Sequence, residues 1–278
     1  MNTLARLSGG HSWARLVSIG LAAGLLAGLM GVGGGVLMVP AMVYLLGYSQ
    51  HEAHGTSLAI MVLLATVAAA SYGILGAVNW LVAVTLIPGG MLGAFAGARV
   101  TRRLPALQLK AIFSVFVLLT GLRMMAGGNG APGAALLDGA GAALAGLGTG
   151  LVSGFLAGLL GIGGGIVMVP VMVLLLGITQ QTAQGTSLVA IVPTAISGAR
   201  THYRLGHVDL GGAAGLALGG IPGSIAGSRI ANALNAGTLK GVFGAFLLVM
   251  SVLMLLQTQA AIRKKQTEAA AGEEETVV

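Results

Sequence analysis

The chain has 278 residues, of which only 8% are charged against roughly a quarter in soluble domains, and it carries a net charge of +7. So little charge cannot cover a water-facing surface, and a mean hydropathy of +0.94 with long runs free of Asp, Glu, Lys and Arg predicts a polytopic membrane protein. The absence of cysteine excludes disulfides and thiolate metal sites, and the basic excess, lying between apolar runs, marks cytoplasmic loops rather than a nucleic-acid-binding face.

Residues 1–12 are polar, with Arg6, and lead into an apolar run from Trp13 to Met30. It reads as an uncleaved first helix, because further apolar runs follow it. Gly20, Gly24 and Gly28 recur at the four-residue spacing that lets helices approach closely in lipid. Gly31-Val32-Gly33-Gly34-Gly35 and Pro40 then predict a break, and Val36 to Gly47 would make a helix of about 18 Å, too short for a ~30 Å hydrocarbon core. Trp13 to Gly47 is therefore either one broken span or a re-entrant hairpin. Irregular backbone at membrane depth survives only where protein covers it or where it lines a cavity, so the glycine turn is a site candidate.

A polar link, Ser49 to His54, is expected to precede a helix that starts at Gly55-Thr56-Ser57 and runs to about Gly76. Asn79 opens a link to the next span, Trp80 to Ala98, with Arg99, Arg102, Arg103 and Lys110 beyond it around Pro105, and a further span reaches Met125. Residues 127–139 are a turn-rich linker. The plan then repeats: Ala140 to Leu160, a turn at Gly161 to Gly165, Ile166 to Gly177, and spans near Gly185 to His202, Leu210 to Ser228 and Leu239 to Gln257. The polar tail, 258–278, with Arg263-Lys264-Lys265 and Glu273-Glu274-Glu275, is expected to be a disordered cytoplasmic end.

Residues 31–60 match residues 161–190 at 18 of 30 positions, displaced by 130 without a gap, so the chain is a duplicated unit. The expected fold class is an all-α polytopic membrane protein of two homologous halves, 13–126 and 140–257. Each half is expected to hold one glycine-broken, re-entrant element and three spanning helices. If the halves are inverted with both termini inside, 11 of the 14 Lys and Arg are cytoplasmic and 3 are not; parallel halves give 6 inside and 8 outside. The positive-inside rule favours inversion.

The doubled pattern GxGGGxxxVP, a linker and GTSL, with GxxxGxR closing the third apolar run, resembles the TauE/SafE family, the sulfite exporters, from about Leu16 to Leu256. The resemblance implies a multi-pass carrier of the bacterial inner membrane for small sulfur-containing anions: sulfite, sulfoacetate or related sulfonates. The family motif falls on Gly31, Gly33, Gly34, Gly35 and Pro40, and on Gly161, Gly163, Gly164, Gly165 and Pro170. His54 of the first linker is replaced by Gln184 in the second.

An inverted duplicate can bring its two hairpin tips together near the midplane. There the glycine amides at a half-helix start can approach an oxyanion without side-chain obstruction, which makes Gly33, Gly34, Gly35, Gly163, Gly164 and Gly165 substrate-binding candidates. Turn formation and packing alone would explain the same glycines. Thr56, Ser57, Thr186 and Ser187 are further substrate candidates, though hydroxyls at a helix start more often cap free amides. Arg99 and Arg229 end glycine-striped helices, where they anchor to the interface or draw anions to a pore mouth.

His51, His54, His202 and His207 are candidates for proton coupling. A metal site built on His51, Glu52 and His54 lacks a counterpart in the second half, and neither a metal nor a cofactor is expected. The partners expected are a small anionic substrate and the lipid bilayer, with no nucleic acid. A passive anion channel is the alternative to a carrier. An intramembrane enzyme would rest on Ser57 beside His54, and the second copy has no such histidine.

Overall fold

In the computed structural model, residues 13–100, 106–126, 140–160 and 164–275 are described; the side chains of 98–100, 106–110, 140, 142, 157–160, 260, 261 and 263–275 are not. The described residues form ten helices: α1 (Trp13–Met30), α2 (Gly35–Leu46), α3 (Gln50–Ile74), α4 (Trp80–Val100), α5 (Ala106–Ala126), α6 (Ala140–Leu160), α7 (Gly165–Leu174), α8 (Gln180–Arg204), α9 (Leu210–Ala233) and α10 (Ala236–Glu275). Five of them are long and apolar enough to cross a membrane: α1, α3, α4, α9 and the first part of α10, Ala236–Gln259. Many of their outward residues are large and apolar. Leu81, Val84, Leu92 and Phe95 of α4, and Val249, Leu253 and Leu256 of α10, are exposed, as expected of a surface that meets lipid.

The helices of the two halves interlock. Gly20, Gly24 and Gly28 of α1 press against the backbone of Leu216, Gly220 and Ser224 of α9 in that order, so α1 and α9 run parallel in close contact. The corresponding pair in the other direction does the same: Gly89 and Gly93 of α4 meet Leu147 and Leu151 of α6, and Gly154 of α6 meets Gly90. A side chain at any of these glycines would strike backbone, and the close approach it would forbid is how helices associate without a hydrophobic drive. In the centre, α3 and α8 run antiparallel: Gly55 near the start of α3 abuts His202 and His207, and Gly185 near the start of α8 abuts Tyr72 and Ala77.

Three expectations are corrected. The polar links are helical, because Ser49 accepts a hydrogen bond from the Glu52 amide while Glu52 accepts one from the Ser49 amide, a capping box that starts α3 at Gln50. Thr179 likewise accepts from Thr182 N and starts α8 at Gln180. Thr56, Ser57, Thr186 and Ser187 therefore lie inside helices and not at their starts. Secondly, Pro40 sits within α2 and does not break it; Pro170 lies within α7 in the same way. The first break is made by Gly31, Gly33 and Gly34, at φ of 69°, 78° and 79°, a region that side-chain-bearing residues rarely enter. Thirdly, α10 continues as helix through Arg263-Lys264-Lys265 to Glu275 where disorder was expected, in keeping with a segment rich in Ala, Glu, Lys and Gln, all strong helix formers.

Candidate functional site

After Met30 the helix is broken at Gly31–Gly34, and Gly34, the residue that caps α2, packs against Ala23 and Ala27 of α1. The turn is buried throughout, from Gly31 to Val36. It meets the other half directly. A Cβ on Gly165, the first residue of α7, would lie 2.7 Å from Val32 Cα and 2.9 Å from Gly31 O, and a Cβ on Gly31 would lie 2.7 Å from Gln184 Cα. Ser187 Oγ is 2.6 Å from Gly31 O, to which it donates, tying the first turn to α8.

Around this meeting point stand Met61 (a Gly33 Cβ would be 3.1 Å from its sulfur), Ile191, and Ser57, whose Oγ is 3.4 Å from a Cβ on Gly35. Gly35 and Val36 open α2, and among the described residues no acceptor takes their amide hydrogens. A helix start with unpaired amides carries about half a positive charge. Such donors can hold a small anion. Of the second polyglycine stretch, Gly164 has φ −72°, an ordinary right-handed value, and Gly161 to Gly163 lie outside the described residues.

The two threonines serve the frame. Thr56 Oγ1 accepts from Asp209 N and Thr186 Oγ1 accepts from Asn79 N, each at 2.9 Å, and each of these amides belongs to the residue before α9 or α4 of the opposite half. The hydroxyls do satisfy backbone amides as caps do, but in a different helix, 153 and 107 residues away. Both threonines are fully buried. Tyr72 Oη, also buried, is 2.8 Å from Gly28 O and 2.9 Å from the Gln184 side-chain amide. A hydroxyl has one hydrogen, so Tyr72 donates to Gly28 O, and Gln184 turned to present Nε2 completes the pair.

The histidines gather at one end of the α3–α8 pair. The His51 and His207 rings stack with centroids 5.3 Å apart, and His202 lies 5.6 Å from His207. His54 is within electrostatic reach of His51 and His202. Beside them, Tyr48 donates its hydroxyl to Asp209 Oδ2. Burial first, then this bond and the Asp209 and Glu52 charges, push the Tyr48 phenol well above the ordinary tyrosine range. His54 and Ser57 share no hydrogen bond among the described residues; Ser57 instead stands at the glycine turn.

Arg229 is exposed at the far end of α9, lining an open cavity of about 490 Å³ with Ser71, Ile74, Leu75, Asn232 and Ala233. None of the turn glycines lines it. Arg99 belongs to α4, but its side chain lies outside the described residues. Sequence reasoning set Gln184 against His54 but missed Tyr48, Tyr72 and Asp209 as site neighbours. The 130-residue offset held a signal for two of them, because it pairs Tyr72 with His202 and Asp209 with Asn79.

Comparison with known proteins agrees with a membrane protein. The chain is 36% identical over 109 residues to the probable membrane transporter protein YunE of Bacillus subtilis (strain 168), a match covering 39% of this chain and 40% of that protein. It is 27% identical over 258 residues to a probable membrane transporter protein of Xylella fastidiosa (strain Temecula1 / ATCC 700964), covering 86% of this chain and 93% of that one. A 34% identity over 125 residues links it to the probable membrane transporter protein MamO of Paramagnetospirillum magneticum (strain ATCC 700264 / AMB-1), covering 42% of this chain and 19% of that one. No solved structure shows significant similarity. The profile described as Sulfite exporter TauE/SafE matches residues 3–124 and 146–276. The chain is a membrane protein belonging to the TauE/SafE sulfite exporter family.

Proposed function

We propose that the protein is a secondary carrier of small sulfur-containing anions, sulfite, sulfoacetate or related sulfonates, in the bacterial inner membrane. It would alternate access to a site where the two glycine turns meet. The observation that carries the reading is the contact of Gly165 with the backbone of Gly31 and Val32. Broken helices meeting between repeats are where such carriers place substrate, and the unpaired amides of Gly35 and Val36 suit an anion. The halves are taken as inverted and each helix pair α1–α2 and α6–α7 as a re-entrant hairpin entering from its own side. This is supported by the antiparallel α3 and α8, equivalent helices of the two repeats, and by the break at Gly31–Gly34. In that arrangement Gly33, Gly34, Gly35, Gly163, Gly164, Gly165, Ser57 and Ser187 surround the substrate. Thr56 and Thr186 hold the loops behind it, and Arg99 and Arg229 draw anions to the two mouths.

The test is uptake of radiolabelled sulfite, sulfoacetate, taurine and thiosulfate into proteoliposomes, with counterflow against the same unlabelled anion. Saturable counterflow of at least one is expected in the wild type, and its loss in Gly34→Leu and Gly164→Leu variants that still insert. Full flux in both variants would remove the turns from the mechanism.

A further inference from the structure

The α3–α8 pair is built alike at its two ends and furnished differently. At one end Gly55 abuts the His207 carbonyl and Thr56 holds Asp209; at the other Gly185 abuts the Ala77 carbonyl and Thr186 holds Asn79. Around the first stand His51, His54, His202, His207, Asp209 and Glu52. The positions 130 residues away hold Gln181, Gln184, Tyr72, Ala77, Asn79 and Thr182. Every histidine and acid at one end is replaced at the other by a side chain that is neither.

The histidines come from three pieces of chain: His51 and His54 from α3, His202 from α8, and His207 from the link to α9. His202 Nδ1 and His207 Nδ1 are buried with no hydrogen-bond partner among the described residues. The other charged or titratable groups facing the cluster are Tyr48, Glu52 and Asp209, with Arg200 and Arg204 on the exposed side of α8. Asp209 accepts from Tyr48 and from Gly211 N, and Glu52 accepts from the Ser49 amide and hydroxyl. Neutral imidazoles fit at these separations, His51 stacked on His207 and His202 tilted against it; imidazolium ions would repel there, least at the exposed His51 and more at the half-buried His54, His202 and His207. The compact arrangement is thus the neutral form of the cluster, and each added proton opposes it.

We propose that His51, His54, His202 and His207 form a proton site that controls opening at one end of the carrier only: neutral, they let α3 close against the α8–α9 link; protonated, they drive the two apart. The inference rests on the carrier reading and names the ion that biases it. The amide-furnished end opens and closes without regard to pH. A conformational equilibrium moves only as far as a ligand prefers one state, and here the proton prefers the open one.

The chain has no cysteine, so two exposed positions can be labelled in the full-length protein in lipid vesicles. Gln50→Cys and Leu205→Cys put one nitroxide on each side of the histidines; Leu75→Cys and Thr179→Cys report on the opposite end. Double electron–electron resonance is expected to show the first distance lengthening by a few ångströms between pH 8 and pH 5.5 while the second stays constant. The response is expected to vanish when the cluster takes the other end's side chains, in H51Q/H54Q/H202Y/H207A. Should that variant fail to insert, His51→Gln and His207→Ala singly are expected to weaken the response. A first distance indifferent to pH, a second distance that moves as much, or a response undiminished in the variants overturns the proposal. Because a distance is read and not a flux, that failure leaves the carrier reading standing, and absence of anion flux leaves the distance change in place.

Discussion

The two ends of the α3–α8 pair keep the same contacts in their frame and change nearly everything else. A glycine admits the opposite half's loop carbonyl, at Gly55 and at Gly185, and a buried threonine hydroxyl receives that loop's amide, at Thr56 and at Thr186. The side chains around these contacts diverge, histidine against glutamine, tyrosine and alanine. Residues common to both copies of the motif are thus the ones that set backbone against backbone. Those that differ are free to give each face its own chemistry. A duplicated carrier needs both: one geometry to close either end, and some difference between the ends to favour a direction.

The comparison can be broken most forcefully at the glycines. Gly55→Leu and Gly185→Leu each drive a side chain into a loop carbonyl, and overpacking of this kind costs about 1–3 kcal/mol or more. Both variants are expected to lose most of the monodisperse fraction on size exclusion in detergent, and a large loss at one end alone would show that the frames are not equivalent. Next, Thr56→Val and Thr186→Val leave a part-buried amide without its acceptor, at a cost of roughly 1–3 kcal/mol apiece. Thermal unfolding of the purified protein is expected to fall by similar amounts in the two, with Thr→Ser restoring most of it.

A smaller effect separates the ends by pH. Tyr48 belongs to the histidine end, and its counterpart is Ile178. Its folded phenol stays protonated beyond the ordinary value of about 10 at which the unfolded chain ionises. The stabilisation it contributes is therefore present below about pH 10 and is lost as pH rises further. Tyr48→Phe is expected to flatten that alkaline loss, with the difference in phenolate absorbance between wild type and variant appearing only above about pH 10. Least of all, Arg229→Gln is expected to change stability by under about 0.5 kcal/mol, since the residue is exposed. It is expected to raise the KM for anion uptake at low ionic strength and to leave it unaltered at high salt, the mark of attraction at a distance. An equal change at both salt concentrations would move Arg229 from the mouth to the binding site.

Much of the fold was legible in the chain. The low charge, the repeat and the glycine runs each act locally, through solvation, counting and φ preference, so Gly31–Gly34 could be named as a break before any partner was known. The helix starts were misplaced because Ser49 with Glu52, and Thr179 with Thr182, cap the chain before the polar stretches that had looked like links. Pro40 was given too much weight beside three glycines that need a left-handed backbone. The glycine-spaced stripe of α1 announced close packing, but nothing in it names α9 as the neighbour.

The sequence by itself determined that this is a duplicated, helical membrane protein broken at Gly31–Gly34, because composition and backbone preference are properties of a stretch of chain taken alone. Only the tertiary structure decided which stretches meet. It set Gly165 on Val32, gave the Thr56 hydroxyl to Asp209, and stacked His51 on His207 across more than 150 residues. The reason is physical: a hydroxyl, an imidazole or a bare glycine acquires its role from what stands within a few ångströms, and that neighbour is chosen by the packing of every helix between them.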